Sequence, residues 1–380
     1  MKVAIYTYDL CPGREYLMPW RTILEVAKVM TREGHEPIVL NACYDESIRN
    51  DYEWQGVKIR ALSVGFDMLA TELIKEVADV AFLPFAWRDG LKDLSILTQV
   101  NCRKIAYMAG GIYDLLSAWT LLKAGGKMLA KPYIIENLVP KKKFVKAIRD
   151  AGFDHVIGLT DLTARTARNV GFISSVTIYP GKDSFEELEP DESLLVKYDL
   201  KGKKWLLFSG APIAYRGAST LLKAVDGARD ENVRVVFLMR KDAGRQFLQF
   251  FEDIDKVKHK ERFIIIQERC TREQLRAIFG SAWYALLPFI VIPSEIPLTY
   301  FELLSCGTPV ITFKNGGTTE YLKDGLLIAE KSVKGLTRAL DRAWGDETLR
   351  FELSENGKRI MANHPTWEQI GYEWIKLLKK

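Results

Sequence analysis

The chain has 380 residues, 48% of them hydrophobic and 27% charged, and 54 Lys and Arg against 49 Asp and Glu leave a net charge of +5. That balance excludes disordered and fibrous classes, and so mild a surplus gives no footing for nucleic acid. Five cysteines stand singly (Cys11, Cys43, Cys102, Cys270, Cys306), which fits a reducing cytoplasm and not a disulfide framework. The N-terminal run VAIYTY is too short for the apolar part of a secretory signal. No stretch approaches the roughly 18 consecutive apolar residues of a membrane span, so secreted and transmembrane classes are also set aside.

In chain order, Lys2–Thr7 reads as a buried strand. Leu17–Thr31 follows as a helix, with Trp20, Ile23, Leu24, Ala27 and Met30 at three- and four-residue steps. Gly34 is placed to end that helix in a left-handed turn, and Pro37–Asn41 resumes as a strand. Asp79–Pro84, Arg103–Met108, His155–Thr160 and Val176–Tyr179 continue the rhythm, so the first half is expected to be a doubly wound α/β domain. A polar, turn-rich stretch around residues 181–203 interrupts it. The pattern restarts with strands at Trp205–Ser209, Val233–Met239, Phe263–Gln267, Trp283–Leu287, Pro309–Phe313 and Leu326–Ala329. Helices Ser219–Ala228, Arg245–Val257, Arg272–Phe279, Thr299–Ser305 and Val333–Ala343 fill the gaps, and Trp367–Leu378 is a last helix. The expected organisation is a domain over 1–180, a hinge over 181–203, a second domain over 204–365 and a terminal helix over 366–380. Ligands of open parallel sheets bind beyond the carboxyl ends of the strands. Function should therefore sit in strand-to-helix loops facing one cleft.

The stretch 293–328 holds most of the chemistry. Glu302 lies on a short helix starting near Pro297, with Thr299 one turn before it, and Glu295 is a spatial neighbour if the chain turns at Pro297. Asn315–Gly316–Gly317 opens another helix, whose free N–H groups suit an anion. On spacing alone this fits a site that holds a sugar hydroxyl beside a phosphate, and equally an ion-paired surface Glu beside an ordinary turn. No His pairs with another His or Cys at metal-ligand spacing. Asp253-x-Asp255 lies in a charged helix and reads as a solvated face. No Gly-x-Gly-x-x-Gly, Walker or Gly-x-Ser-x-Gly pattern follows a strand.

The same stretch resembles the C-terminal signature of family 4 retaining glycosyltransferases of the GT-B fold: a Glu, seven residues, a second Glu, then Gly-x-Pro-Val-Ile, Gly-Gly-x-x-Glu and Asp-Gly. Glu302, Gly307, Pro309, Val310, Ile311, Gly316, Gly317, Glu320, Asp324 and Gly325 fall in register with it. GHEP at 34–37, HVIGLTDLTARTARNVGF at 155–172, IYPGKDSF at 178–185, FSGAPIAYRGASTLLKAV at 208–225 and the terminal TWEQIGYEWIKLLKK are similar to further family segments. The resemblance implies two Rossmann-like domains facing across a cleft and transfer of a hexose from a UDP- or GDP-linked donor, with retention and without a metal or other cofactor. It implies that Glu302 accepts from the ribose hydroxyls and that Arg216 neutralises the diphosphate. Thr299 and the N–H groups around Leu298 would meet phosphate oxygens. Gly13 and Arg14 would face the donor, and Glu268 and Arg269 would lie against the base.

Three departures stand out. The position eight before Glu302 is Ser294, and Glu295 comes one step late, so Glu295 is carried over as the catalytic, sugar-orienting carboxylate with Ser294 beside it. Ala211 replaces the family's diphosphate Arg, and Arg240 or Lys241 is a substitute charge; both also read as a solvated basic turn. The loop YMAGGIYD after the strand Arg103–Met108 lacks the family's His, leaving Gly110–Gly111 as a flexible or close-approach loop and Asp114 as the nearest acid.

From Thr120 to Asp150, eight basic residues stand against two acidic ones and interleave with aromatic and aliphatic residues that begin at Tyr113. Residues 113–149 thus read as an interfacial segment for an anionic membrane surface, or as a core helix with a solvated basic side. The expected acceptor is a saccharide or a lipid-linked molecule, and the location cytoplasmic, at the inner face of the cell membrane where the segment grips lipid. Two other classes fit the same features: a sugar-nucleotide epimerase on this fold, and a silent relative that binds a nucleotide or a partner.

Overall fold

Short runs of Val, Ile, Leu and Phe with helices between them can be buried on both faces only in a parallel sheet, and the chain builds two such sheets. A computed structural model describes residues 1–111, 113–240 and 244–379. The first lobe carries β1 (Lys2–Tyr8), β2 (Glu36–Cys43), β3 (Tyr52–Trp54), β4 (Val57–Ser63), β5 (Val80–Pro84), β6 (Arg103–Met108), β7 (Phe153–Gly158) and β8 (Ser175–Thr177). Their order across the sheet is β3-β4-β2-β1-β5-β6-β7-β8, parallel except for β3 on the edge. Alternation along β1 assigns its faces: Val3 and Ile5 join one core layer, Ala4 and Tyr6 the other.

The second lobe carries β9 (Leu206–Ser209), β10 (Val235–Leu238), β11 (Phe263–Ile266), β12 (Tyr284–Leu287), β13 (Val310–Phe313) and β14 (Leu326–Ala329), in the order β11-β10-β9-β12-β13-β14, all parallel. Each sheet grows outward in both directions from a central pair of strands, β1 and β5 in the first and β9 and β12 in the second. Between the members of each pair the chain reverses its winding, which opens a crevice past their carboxyl ends.

Several expected elements hold closely. Gly34 has φ +79, as a left-handed helix end requires. The terminal helix spans Trp367–Leu378, with Thr366 capping it through a hydrogen bond from Gln369 N–H. It crosses back to the first lobe, where Trp374, fully buried, lies 4.8 Å from Phe82 and 5.6 Å from Tyr107 between ring centroids. Other elements differ. The β3–β4 pair and the helices Phe66–Glu76 and Glu347–Ala362 were not foreseen. β7 ends at Gly158, two residues before the expected Thr160, because Thr160 caps the next helix, Asp161–Asn169. Within the expected hinge, Phe185, Leu194, Leu195 and Leu200 are buried in the second lobe's core.

The lobes are joined where residues 180–183 run beside 364–367: Lys182 N–H donates to Pro365 C=O at 3.0 Å, and a side chain at Gly181 would strike the backbone of Trp367. Trp374→Ala should destabilise the protein by about 3–5 kcal/mol, the usual range for emptying a buried aromatic site. Urea denaturation checks this, and a loss under about 1 kcal/mol would mean that the helix is not docked as described.

Candidate functional site

The two reversal points define the places to look. In the first lobe, Thr7 and Tyr8 of β1, Pro84 of β5 and Tyr107 of β6 line a cavity of about 310 Å3, together with Asp9, Arg14, Pro19, Trp20 and Ala109. Arg14 donates to Asp9 C=O at 2.9 Å and lies 5.6 Å from the Trp20 ring, so a cation, a carboxylate-bearing turn and an aromatic face share one opening. Gly13, at φ +93, makes the preceding turn and donates to Glu15 Oε2 at 2.7 Å. The structure therefore puts Arg14 on the first-lobe cavity, with Gly13 in the turn before it.

In the second lobe, Arg216 occupies the reversal point between β9 and β12. Its Nη1 donates to Ser209 C=O at the end of β9 at 3.0 Å, and its guanidinium lies 5.4 Å from the Phe289 ring just past β12. Gly210 and Gly217 make room: a side chain at 210 would overlap the guanidinium, and one at 217, where φ is +69, would strike Pro288 C=O. Among the described residues no carboxylate pairs with Arg216. Burial pulls its pKa down to about 10, still protonated at neutral pH. A desolvated cation without a counter-ion favours an anion entering from the cleft.

Glu302 lies on the helix Leu298–Ser305, beside a narrow crevice bounded by Gly181, Lys182, Asp183, Phe185, Leu298, Phe301 and Trp367. Withdrawal from water pushes its pKa up to about 7, against the pull of Arg21. No hydrogen bond to its carboxylate is present among the described residues. Asp183 organises this corner: it accepts from Arg21 Nη2 at 2.7 Å and Trp367 Nε1 at 3.1 Å, with Arg272 Nη2 at 3.5 Å. The crevice holds about 10 Å3, room for a water molecule and not for a ribose. Thr299 and Leu298 follow Pro297, which caps the helix without a side-chain bond, so the first N–H groups of the helix stay available.

Glu295 does not share these surroundings. Only 2% exposed, it lies where loops of both lobes meet. Thr160 Oγ1 donates to Oε2 at 2.6 Å, Thr163 Oγ1 to the same oxygen at 3.3 Å, and Gly317 N–H to Oε1 at 3.1 Å. Burial pushes its pKa up to about 7, with these three donors opposing the rise. The expectation that Glu295 and Glu302 are neighbours is thus not met: one faces the other lobe, the other the hinge. The N–H expected to wait for an anion at Gly317 is taken by Glu295 itself. Ser294, one residue earlier, has a buried Oγ without a partner.

The remaining candidates are peripheral. Glu268 accepts from Lys197 Nζ at 2.6 Å and from Tyr198 OH. Arg240 and Arg269 are exposed, and Lys241 lies outside the described residues. Asp114 caps the helix Leu115–Leu138 through Ser117 N–H at 2.7 Å. Among the described residues no group of three or more His, Cys, Asp and Glu is arranged to hold a metal. Sequence reasoning passed over Thr160, Asp183 and His364. Each has a partner 135 or more residues away: Glu295 for Thr160, Arg21 and Trp367 for Asp183, and Pro180 for His364.

The basic segment splits into two faces. Tyr113, Ala118, Leu121 and Tyr133 pack inward against Ile290 and Val291 of the second lobe. Leu115, Leu116, Trp119 and Met128 are 61, 57, 55 and 86% exposed, and Lys123 Nζ lies 5.2 Å from the Trp119 ring. No helix among the described residues is long and apolar enough to cross a membrane.

Residues 192–360 match the family model described as Glycosyl transferases group 1. No curated protein matches the chain by sequence. Among solved structures, sucrose-phosphate synthase from Thermosynechococcus elongatus is similar over 100% of this chain and 98% of its own, with 14% identity and a TM-score of 0.75. The Anabaena protein HepE, in complex with UDP and glucose, is similar over 100% and 99%, with 12% identity and a TM-score of 0.72. A glycosyltransferase from Rickettsia africae is similar over 100% and 97%, with 13% identity and a TM-score of 0.69. These likenesses show that the fold is GT-B, as the sequence resemblance implied, and the second lobe carries the group 1 pattern.

His364 supplies a prediction for the hinge. Its Nε2–H donates to Pro180 C=O at 2.7 Å, which leaves Nδ1 to accept from Tyr321 OH at 2.7 Å. Burial lowers its pKa from 6.5 to about 4. The neutral ring therefore stabilises the fold above pH 6.5, and the contribution is lost as pH falls through about 4. Wild type should lose up to about 3 kcal/mol more stability than His364→Gln between those limits. Identical pH profiles of urea denaturation for the two proteins would refute this.

Proposed function

We infer that this chain is a glycosyltransferase that moves a hexose from a nucleotide donor, UDP- or GDP-linked, to an acceptor with retention of configuration. The observation that carries the reading is Arg216: a desolvated guanidinium with no carboxylate partner among the described residues, at the reversal point of a lobe whose sequence matches glycosyl transferases group 1. A diphosphate is the ligand chemistry that such a cation complements. The available N–H groups at Leu298 and Thr299 and the unpartnered Ser294 hydroxyl add donors nearby. As the bond between sugar and phosphate breaks, negative charge builds on the leaving diphosphate, and a fixed cation in a dry site stabilises that charge. Glu302, with no hydrogen bond to its carboxylate among the described residues, offers two oxygens to ribose hydroxyls once the lobes part enough to admit them. The acceptor takes the first-lobe cavity, where Trp20 and Tyr8 give apolar faces for a sugar ring and Asp9 and Arg14 give polar groups for its hydroxyls. On this reading the acceptor hydroxyl attacks on the face the leaving diphosphate vacates, which retains configuration. That HepE is also seen in complex with UDP-glucose, and a similar E. coli protein with UDP-2-fluoro glucose, supports a uridine donor.

Arg216→Ala should lower kcat/KM by about 100-fold or more, and Glu302→Ala should raise the donor KM. The check is product formation measured with UDP- and GDP-sugars chosen by a thermal-shift screen of nucleotides. Near-native turnover in Arg216→Ala would contradict the assignment, and the anomeric configuration of the product by NMR decides retention.

The exposed Leu115, Leu116, Trp119 and Met128 beside Lys123, Lys127 and Lys131 support a lipid-linked acceptor presented at an anionic membrane. Sedimentation with phosphatidylglycerol vesicles should retain the protein at low salt and release most of it at high salt, with weaker retention for Trp119→Ser. No sedimentation with anionic vesicles at low salt would remove the membrane from the account.

A further inference from the structure

We propose that Glu295 and Thr160 form a latch between the lobes, so that Thr160 is a positioning residue that sets access to the donor site. The carboxylate belongs to the second lobe and Thr160 to the first, at the end of β7. Thr160 has two roles in one hydroxyl: its oxygen accepts from Thr163 N–H at 3.4 Å as the helix cap, and its proton goes to Glu295 Oε2 at 2.6 Å. A backbone bond lies alongside, Glu295 N–H to Ala109 C=O at 2.7 Å. The fit is tight on every side. A side chain at Gly317 would come within 2.1 Å of Thr160 Oγ1, and one at Gly111 within 2.7 Å of Glu295 Oε1.

With three internal donors on its two oxygens and 2% exposure, Glu295 has no access to a sugar hydroxyl while the latch is closed. The closed lobes also leave room for only a water molecule beside Glu302. Donor entry therefore requires the Thr160–Glu295 bond to break. At this step in the chain the polar atom left for the donor is the unpartnered Ser294 Oγ, one residue away. The one-residue shift of the carboxylate has turned it from the donor to the opposite lobe. The latch itself is read from the contacts between lobes, and only its consequence for donor entry rests on the function proposed above.

Small-angle scattering of full-length protein tests the latch without any substrate. Thr160→Val should shift the equilibrium between closed and open lobes roughly tenfold toward open, the effect of losing one hydrogen bond to a buried carboxyl group. The radius of gyration rises, and Thr160→Ser restores the wild-type profile. Glu295→Ala, which keeps the helix cap intact and also removes the Thr163 bond to Oε2, should open the lobes at least as far, and the double variant no further than Glu295→Ala, since Thr160 acts across the lobes through that carboxylate. If Thr160→Val does not fold, Glu295→Ala carries the test alone. Wild-type scattering in the folded variants, or shifts that add in the double variant, would overturn the latch. Stopped-flow binding of UDP and GDP separates the two readings. Faster association in the opened variants supports both. Opened lobes with no nucleotide binding in any variant leaves the latch standing and the donor assignment refuted.

Discussion

In a parallel sheet the connecting loops lie beyond the strand ends, and only where the winding reverses do neighbouring loops diverge enough to leave a crevice. This protein has two sheets and therefore two such points, β1/β5 and β9/β12. The contacts of Ala109 and Thr160 with the 293–297 loop bring the carboxyl ends of the two sheets against each other. Everything of chemical interest follows from that placement. The apolar runs that make the strands are interchangeable in kind, while Arg14 and Arg216 at the reversal points donate to backbone carbonyls and pair with no carboxylate among the described residues.

The electrostatics separate ion-paired groups from those without an ionic partner. Asp183, Glu268 and Glu320 all have cationic partners: Arg21, Lys197 and Arg165. Arg216 and Glu302 have none at contact distance among the described residues, and desolvation moves each toward its neutral form. A group held in that condition costs stability, and a ligand of complementary charge or hydrogen bonding recovers it. Glu295 shares the shift but not the logic, because its oxygens are already occupied by donors from both lobes.

Much of the fold could be read directly from residues. Each buried strand is a contiguous apolar run, and Arg103–Met108, Leu326–Ala329 and Trp367–Leu378 have the expected limits. The β3–β4 pair escaped notice because β3 is three residues long and β4 is no contiguous apolar run, with Lys58 and Arg60 between its buried Val57, Ile59 and Leu62. Glu347–Ala362 buries only Leu353, Ser354, Gly357 and Met361, too few apolar positions to mark a helix by period. The candidate site was legible in part, since Arg216 and Glu302 lie in segments whose spacing resembles a known pattern. Its closure was not, because Thr160 and Glu295 are 135 positions apart and a Thr after a strand looks like any helix cap. His364, a lone His before Pro, gave no hint that its ring ties Tyr321 to Pro180.

The central claim is that the reversal point of the second lobe receives the diphosphate of an activated sugar. A crystal structure of the full chain with the nucleotide-sugar that stabilises it most tests this directly. The account predicts diphosphate oxygens within hydrogen-bonding distance of the Arg216 guanidinium, ribose hydroxyls on Glu302, and lobes further apart around Thr160 than in the closed form. A nucleotide seated elsewhere, with Arg216 still bonded only to Ser209, would contradict it.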